Sequence, residues 1–382
     1  GVQAGDATTT GVGNTFIGTE SGGANTTASS NTAVGYQSLD ANTTGTSLVA
    51  IGVTALGTTV TGNYNVAVGH QAGMTQNGAA GSTLIGHAAG AYITSGANNT
   101  CLGYLAGDAL NSGHENVCIG PNAGGTATTA GYGIFIGNGA GNGGAITGDH
   151  NIVMGHAAGD ALTSGANNVI IGQSAATTLT TGSTNVAIGS EALYFQTDAS
   201  SNVAIGNAAG KSITTGATNT CIGYAAGDAL VDGANNIIIG NTADAAATNT
   251  SNSVTLGNGS ISALRCQVQT ISALSDRRDK KDIKDLDVGL DFINTLHPVK
   301  FTWNMRDGAK VDIKEAGFIA QELDESQNKF DAEEYLQLVL KENPEKLEAA
   351  MGKLMPSMVK AVQELSAQVD ELKNEIKTLK GK

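Results

Sequence analysis

Along the first two-thirds of the chain a hydrophobic residue followed by glycine returns at Gly18, Gly35, Gly52, Gly69, Gly86, Gly103, Gly120, Gly137, Gly155, Gly172, Gly189, Gly206, Gly223, Gly240 and Gly257. The step is 17 residues throughout, except for one step of 18 between Gly137 and Gly155. The unit reads N-V-A-I-G-x-x-A-G-x-A-L-T-T-G-A-N and is fullest around Asn151–Gly165 and Asn219–Gly233. Residues three and one before the glycine (Val186 and Ile188, Val203 and Ile205) alternate with period 2 over a stretch too short to stand alone. The pattern therefore predicts one short strand per unit, stacked on its copies, with the in-phase Val/Ile column supplying the core.

Glycine ends each strand and can take the positive φ of a corner. A second glycine ten residues on (Gly45, Gly62, Gly96, Gly113, Gly165, Gly182, Gly216, Gly233) marks another turn. Asparagine before the strand (Asn31, Asn65, Asn99, Asn116, Asn151, Asn168, Asn185, Asn202) suits an inside corner, where its amide can satisfy turn backbone and stack on copies above and below. At one rung per unit and about 4.8 Å per rung, the repeats would make a rod of roughly 70 Å. Helix is excluded because glycine at this density costs about 1 kcal/mol per residue in a helix interior. Disorder is excluded by the in-phase hydrophobic columns.

Charge divides the chain where the period stops. Residues 1–274 hold 12 Asp/Glu and only Lys211 and Arg265 as cations, a net of −10; residues 275–382 hold 22 acidic and 18 basic residues, a net of −4, and the two make up the total of −14. Without a basic run the chain lacks the footprint for phosphate backbones or anionic lipid, so neither nucleic acid nor a membrane is an expected partner. No stretch approaches the roughly 20 apolar residues of a membrane span. The opening Gly1-Val2-Gln3 has no signal pattern and is expected of a piece of a longer protein. Cys101, Cys118, Cys221 and Cys266 form no C-x-x-C pair; three of them fall on one repeat position shared with Ala, Val and Ile, and are expected to pack as small hydrophobes.

Three features of the repeats carry candidate chemistry. His70, His87 and His156, alternating with Tyr36, Tyr104 and Tyr224, follow the glycine, and in a symmetric assembly could ring a metal ion; no carboxylate pattern accompanies them, so packed or surface positions are expected, with no metal and no cofactor. Asp108, Asp160 and Asp228 share another position, but glycoside hydrolysis would need a shaped cleft and sugar-stacking tryptophan that the repeats do not contain. Threonine pairs (Thr43-Thr44, Thr180-Thr181, Thr214-Thr215) would stack into ladders able to meet an ordered surface such as ice, against a plain reading as good exposed strand and turn residues.

Beyond Gly257, residues 259–274 alternate weakly as a connector strand, and from Ser275 the composition becomes helix-forming and charged. Leu286, Leu290, Ile293 and Leu296 have helical spacing, Pro298 stops that helix, Val299–Trp303 reads as a strand entering a turn at Arg306-Asp307-Gly308, and Gly317–Leu323 as a strand-to-helix segment. Met355, Met358, Val362, Leu365, Val369, Leu372, Ile376 and Leu379 step by alternating threes and fours, a heptad seam over about 356–380 with Pro356 in the first turn. Val and Ile at one seam position with Leu at the other favours two strands in isolated peptides; a trimer set by the rest of the chain is nevertheless the expectation here.

At the junction stands Ser275-Asp276-Arg277-Arg278-Asp279-Lys280-Lys281-Asp282-Ile283. A serine and a lysine five residues apart can cut a peptide without histidine if the lysine is held neutral beside the hydroxyl. Taken alone, the same residues could simply cap a helix, with Asp279 in its first turn.

The N-V-A-I-G units resemble the head repeats of trimeric adhesins, which form parallel β-rolls, and the repeat shafts of phage tail fibres, over about residues 11–258. Ser275, Asp276, Arg278 and Lys280, with Pro298–Trp303 (Pro-Val-x-Phe-x-Trp) and Gly317–Gln321 (Gly-Phe-Ile-Ala-Gln), resemble the carboxy-terminal intramolecular chaperone of phage tailspikes, including endosialidase tailspikes. The resemblance implies a mainly β repeat rod of 17-residue β-roll or β-solenoid units (1–258) and a connector (259–274), then an α+β chaperone domain (275–382) ending in a coiled-coil helix. It further implies a homotrimeric tail fibre in the virion that binds a host-cell surface receptor, a glycan or envelope protein. The chaperone would trimerise the fibre, assist its folding, and release itself after assembly in the host cytoplasm. Self-cleavage, a single turnover, would fall between Leu274 and Ser275, with Ser275 as nucleophile, Lys280 as base, and Asp276 and Arg278 in support. The alternative is a non-phage trimeric surface adhesin with the same self-cleaving module.

Overall fold

The computed structural model spans the whole chain and describes every residue except 60, 262, 266, 268–272, 274, 307–309 and 382. It divides into two compact units, Gly1–Asn258 and Gly259–Lys382.

The first unit is a parallel β-solenoid. Among the described residues, fifteen strands of three residues, from β1 (Thr15–Ile17) to β15 (Val254–Leu256), form one sheet in strict sequence order. Each strand pairs in parallel with the copy one repeat away, as in Val186↔Val203, Ala187↔Ala204 and Ile188↔Ile205. The step of 18 residues leaves this register intact, with Ile134↔Ile152, Phe135↔Val153 and Ile136↔Met154.

The strands turn the opposite way from the expectation. Val186 and Ile188 are only half-buried, whereas Ala187 between them is fully enclosed, and the same exposed–buried–exposed order runs through the sheet. The central strand residue points inward whatever its size: small at most rungs (Ala33, Ala50, Ala67, Cys101, Cys118, Ala187, Ala204, Cys221) and large at others (Leu84, Phe135, Val153, Ile170, Ile238), with Leu110, Leu162, Leu179 and Leu230 completing the core. The β-branched columns therefore lie on the outer face. The interior thiols behave as small hydrophobes: hydrogen bonding to Cys101, together with burial, holds Cys118 far above the ordinary range, and burial pushes Cys221 up to about 12. Cys266 lies outside the described residues.

The asparagine corner is built as the sequence predicts. The Asn185 N–H donates to Asn168 Oδ1 (2.9 Å), its side-chain amide donates to the same oxygen (3.1 Å), and the amide also reaches the Ala199 carbonyl (3.0 Å). Asn202, Asn219 and Asn236 continue the ladder, all buried. The strand-ending glycine is required: Gly172 has φ +141°, and a Cβ there would run into the Gly189 carbonyl of the next rung. The second glycine does a different job. Gly165 has no left-handed φ, and instead lets the next coil approach closely while its carbonyl accepts the Asn151 amide at 2.8 Å.

The second unit is α+β. The helix expected over Leu286–Leu296 is a single turn, α1 (Leu290–Ile293), and Gly289 before it offers no side-chain cap. The carboxylate of Glu364 takes that role, accepting the Leu290 N–H at 2.7 Å, and a Cβ on Gly289 would collide with it. Strands β16 (Val299–Asn304) and β17 (Val311–Gly317) pair antiparallel; of the turn expected between them, Asp307 and Gly308 lie outside the described residues. Helices α2 (Ala320–Lys329) and α3 (Glu333–Leu336) and the short pair β18 (Val339–Leu340) and β19 (Glu348–Ala349) close over a core of Val288, Phe292, Leu323, Leu336, Leu338 and Leu354. Buried Gln327 ties it together, accepting the Leu338 N–H and donating to Asp324. The last element, α4 (Met355–Lys380), opens with proline in its first turn and buries Ser357 and Ala361. Its heptad seam, Met355 through Leu379, is exposed at every position. The described residues within 261–274 are not in strands.

Candidate active site at the junction

The site is local. Asp276 caps a 3-10 turn, Arg277–Asp279, its carboxylate accepting the Arg278 N–H at 2.8 Å. The same carboxylate takes the Arg278 guanidinium through Nε (3.1 Å to each oxygen) and a terminal nitrogen (2.6 Å). This forked pair locks the turn. It also holds the Asp276 carboxyl below the usual carboxylate range, mainly through the Arg278 side chain and then through its backbone N–H.

The turn then delivers Lys280 back onto Ser275: Lys280 Nζ stands 2.6 Å from Ser275 Oγ. Capping and pairing, opposed alternatives in the sequence, coexist, and the cap brings the pair together. Both side chains of the pair are exposed. The charge of neighbouring Arg278 is engaged by Asp276. Leu274 lies outside the described residues.

Sequence reasoning missed the Glu364 cap, which no local pattern signals, and a cluster on the strand pair, where Glu315 accepts from Trp303 Nε1 (2.6 Å) and Lys310 Nζ (2.7 Å). The cluster adjoins an apolar groove lined by Phe301, Trp303, Phe318, Leu347 and Met351.

The other candidates are not brought together into a catalytic group. His70, His87 and Tyr104 stack on consecutive rungs, with ring centroids 5.0 and 5.3 Å apart, and His156 is not among these ring contacts. No group of three or more His, Cys, Asp or Glu side chains that could hold a metal occurs among the described residues. Asp108 is pushed up by burial, partly offset by backbone N–H groups. Threonine hydroxyls on one column are spent on the next rung: Thr163 donates to the Thr180 carbonyl and Thr180 to that of Thr197, both at 3.0 Å. No helix among the described residues is long and apolar enough to cross a membrane.

No curated protein and no solved structure matches the chain. Residues 275–332 match a peptidase family model described as chaperone of endosialidase, and the match opens on Ser275 itself. The chain thus joins a parallel β-solenoid to a segment similar to the chaperone of endosialidase, a tailspike-like organisation.

Proposed function

We propose that the chain is a phage tail-fibre or tailspike segment whose C-terminal unit trimerises it, assists its folding and then cuts itself off between Leu274 and Ser275. The observation that carries the proposal is the 2.6 Å approach of Lys280 Nζ to Ser275 Oγ, held by the Asp276–Arg278 turn at the first residue of the chaperone match.

In this reading Ser275 Oγ attacks the Leu274 carbonyl carbon while its proton passes to Lys280 Nζ. The peptide C–N bond breaks, the Ser275 nitrogen takes a proton as it leaves, and the Leu274 acyl group is left as an ester on Oγ. Water then hydrolyses the ester to the Leu274 carboxylate and restores the hydroxyl. Lysine can act as the base only after losing its proton, and burial favours that loss. Both partners are exposed in the single chain, so the burial has to come from another surface; trimerisation would supply it, delaying the cut until assembly.

Two unpartnered surfaces support the homotrimer. One is the outer face of the solenoid, where Ile17, Ile51, Leu102, Ile205, Ile239 and Leu256 remain exposed along one column. The other is the seam of α4, with Val362 66% and Leu379 71% exposed. A whole-unit slip between identical repeats keeps every column aligned, so a trimerising domain would fix the register. Its release would trap the product kinetically. Receptor binding at a host surface remains the rod's expected task.

The test is expression of the chain followed by sedimentation and sequencing of the smaller fragment's N-terminus. The proposal requires trimers and a fragment beginning at Ser275; a different first residue would overturn the site assignment.

A further inference from the structure

One corner inside the solenoid lacks the donors that serve its equivalents. On the rungs that carry a polar side chain at the inner wall, that side chain can serve the backbone three residues on. Asn25 donates to the Ala28 carbonyl (3.2 Å), Asn42 donates to the Gly45 carbonyl (3.0 Å) and accepts the Gly45 N–H (2.9 Å), and Gln196 donates to the Ala199 carbonyl (2.6 Å). A second donor arrives from the asparagine ladder, as Asn31 does at Gly45 (2.9 Å).

At Gly62 both donors fail. The inner-wall residue is Thr59, whose hydroxyl is shorter than an amide, and the ladder position is Leu48, which has no donor. Among the described residues no donor reaches the buried Gly62 carbonyl. Thr59 Oγ1 is fully buried without a partner, and so is Gln76 Oε1 on the adjoining rung of the same column. Exchanging the oxygen and nitrogen of Gln76 is no remedy, because Gln76 Nε2 faces Asn65 Oδ1 at 3.4 Å and two acceptors would then oppose each other.

We infer that this corner is an internal water site enclosed by the solenoid wall. These three groups are one hydroxyl donor and two carbonyl-type acceptors; the Asn65 N–H, which Leu48 leaves without its ladder acceptor, is a separate orphan among the described residues. A single water accepts from Thr59 Oγ1 and donates to the Gly62 carbonyl and Gln76 Oε1, the three bonds typical of a buried water. Gln196 needs no such water, since Asn202 donates to its Oε1 at 3.1 Å; the equivalent residue beside Gln76 is Ser82.

A crystal structure of the full chain carrying Ser275→Ala, at a resolution that shows waters, is expected to place one isolated density peak within hydrogen-bond distance of all three atoms. A dry corner, with Gln76 swung onto the Gly62 carbonyl, would overturn the inference. Thr59→Val gives an independent readout of opposite sign in the two cases. With the water present, the substitution strips one of its partners and the solenoid's thermal midpoint falls. In a dry corner it removes an orphaned hydroxyl and the midpoint rises.

Discussion

Asn185 stands one rung from Asn168 and gives it both its backbone N–H and its side-chain amide, at 2.9 and 3.1 Å. The relationship makes each asparagine the acceptor for the next, so one substitution strands groups on two rungs. Asn168→Leu leaves the Asn185 N–H and the Gly182 carbonyl without these partners. At about 1–3 kcal/mol for each stranded group, thermal melting of the solenoid should show a loss of about 2–6 kcal/mol, and an unchanged midpoint would refute the ladder as a source of stability. The fold tolerates the exchange at Leu48, so a folded variant is expected.

Neighbouring positions on one strand should fail differently. Ala187→Leu adds volume to a sealed interior and should cost the solenoid itself about 1–3 kcal/mol. Ile188→Asp places a charge on the outer face, and should leave each solenoid folded while weakening association. Circular dichroism and sedimentation separate the two outcomes; a trimer undisturbed by Ile188→Asp would exclude that face as the contact.

Acid should act on the two units in opposite senses. In the C-terminal unit, hydrogen bonds hold Asp287 (from Tyr335) and Glu315 (from Lys310, then Trp303) below the usual carboxylate range. Their stabilisation is complete above the ordinary carboxylate pKa and is lost as pH falls through the depressed folded values. In the solenoid, Asp40, Asp108 and Asp244 are raised, chiefly by burial. Their native forms take up protons before the unfolded chain does, so stability rises as pH drops from neutral toward the ordinary carboxylate value. Melting uncleaved Ser275→Ala between neutral pH and about pH 3 should show the helical transition moving down in strong acid, while the β transition rises or holds. Parallel movement of both would contradict the assignment.

The Asp276–Arg278 pair acts through Lys280, by holding the turn that brings it to Ser275. Asp276→Asn keeps an acceptor for the Arg278 N–H but loses the charged fork, and should slow self-cleavage less than Asp276→Ala, for which a fall on the order of 10²-fold is expected from misplacement of the lysine. Equal rates in the two variants would remove the positioning role.

The period, the parallel register, the asparagine corner and the junction residues were all legible in the sequence, because each depends on residues that are neighbours in the chain or sit one repeat apart. The direction of the strands was not. Val186 and Ile188 outrank Ala187 in hydrophobicity, so the period-2 pattern alone points the wrong face inward; the clue lay in the central position, which other rungs fill with Leu84, Phe135 and Ile170. Left-handed residues such as Thr184 (φ +59°) carry no glycine signal. The cap of α1 by Glu364 joins residues 74 apart and has no local mark.

Self-cleavage by Ser275 and Lys280 is tested most directly by the mass of the chain. Wild-type protein should appear as two pieces, residues 1–274 and 275–382, while Ser275→Ala and Lys280→Ala should remain whole under the same denaturing conditions. An intact wild-type chain recovered from assembled trimers, or a Ser275→Ala chain that still parts at this bond, would contradict it.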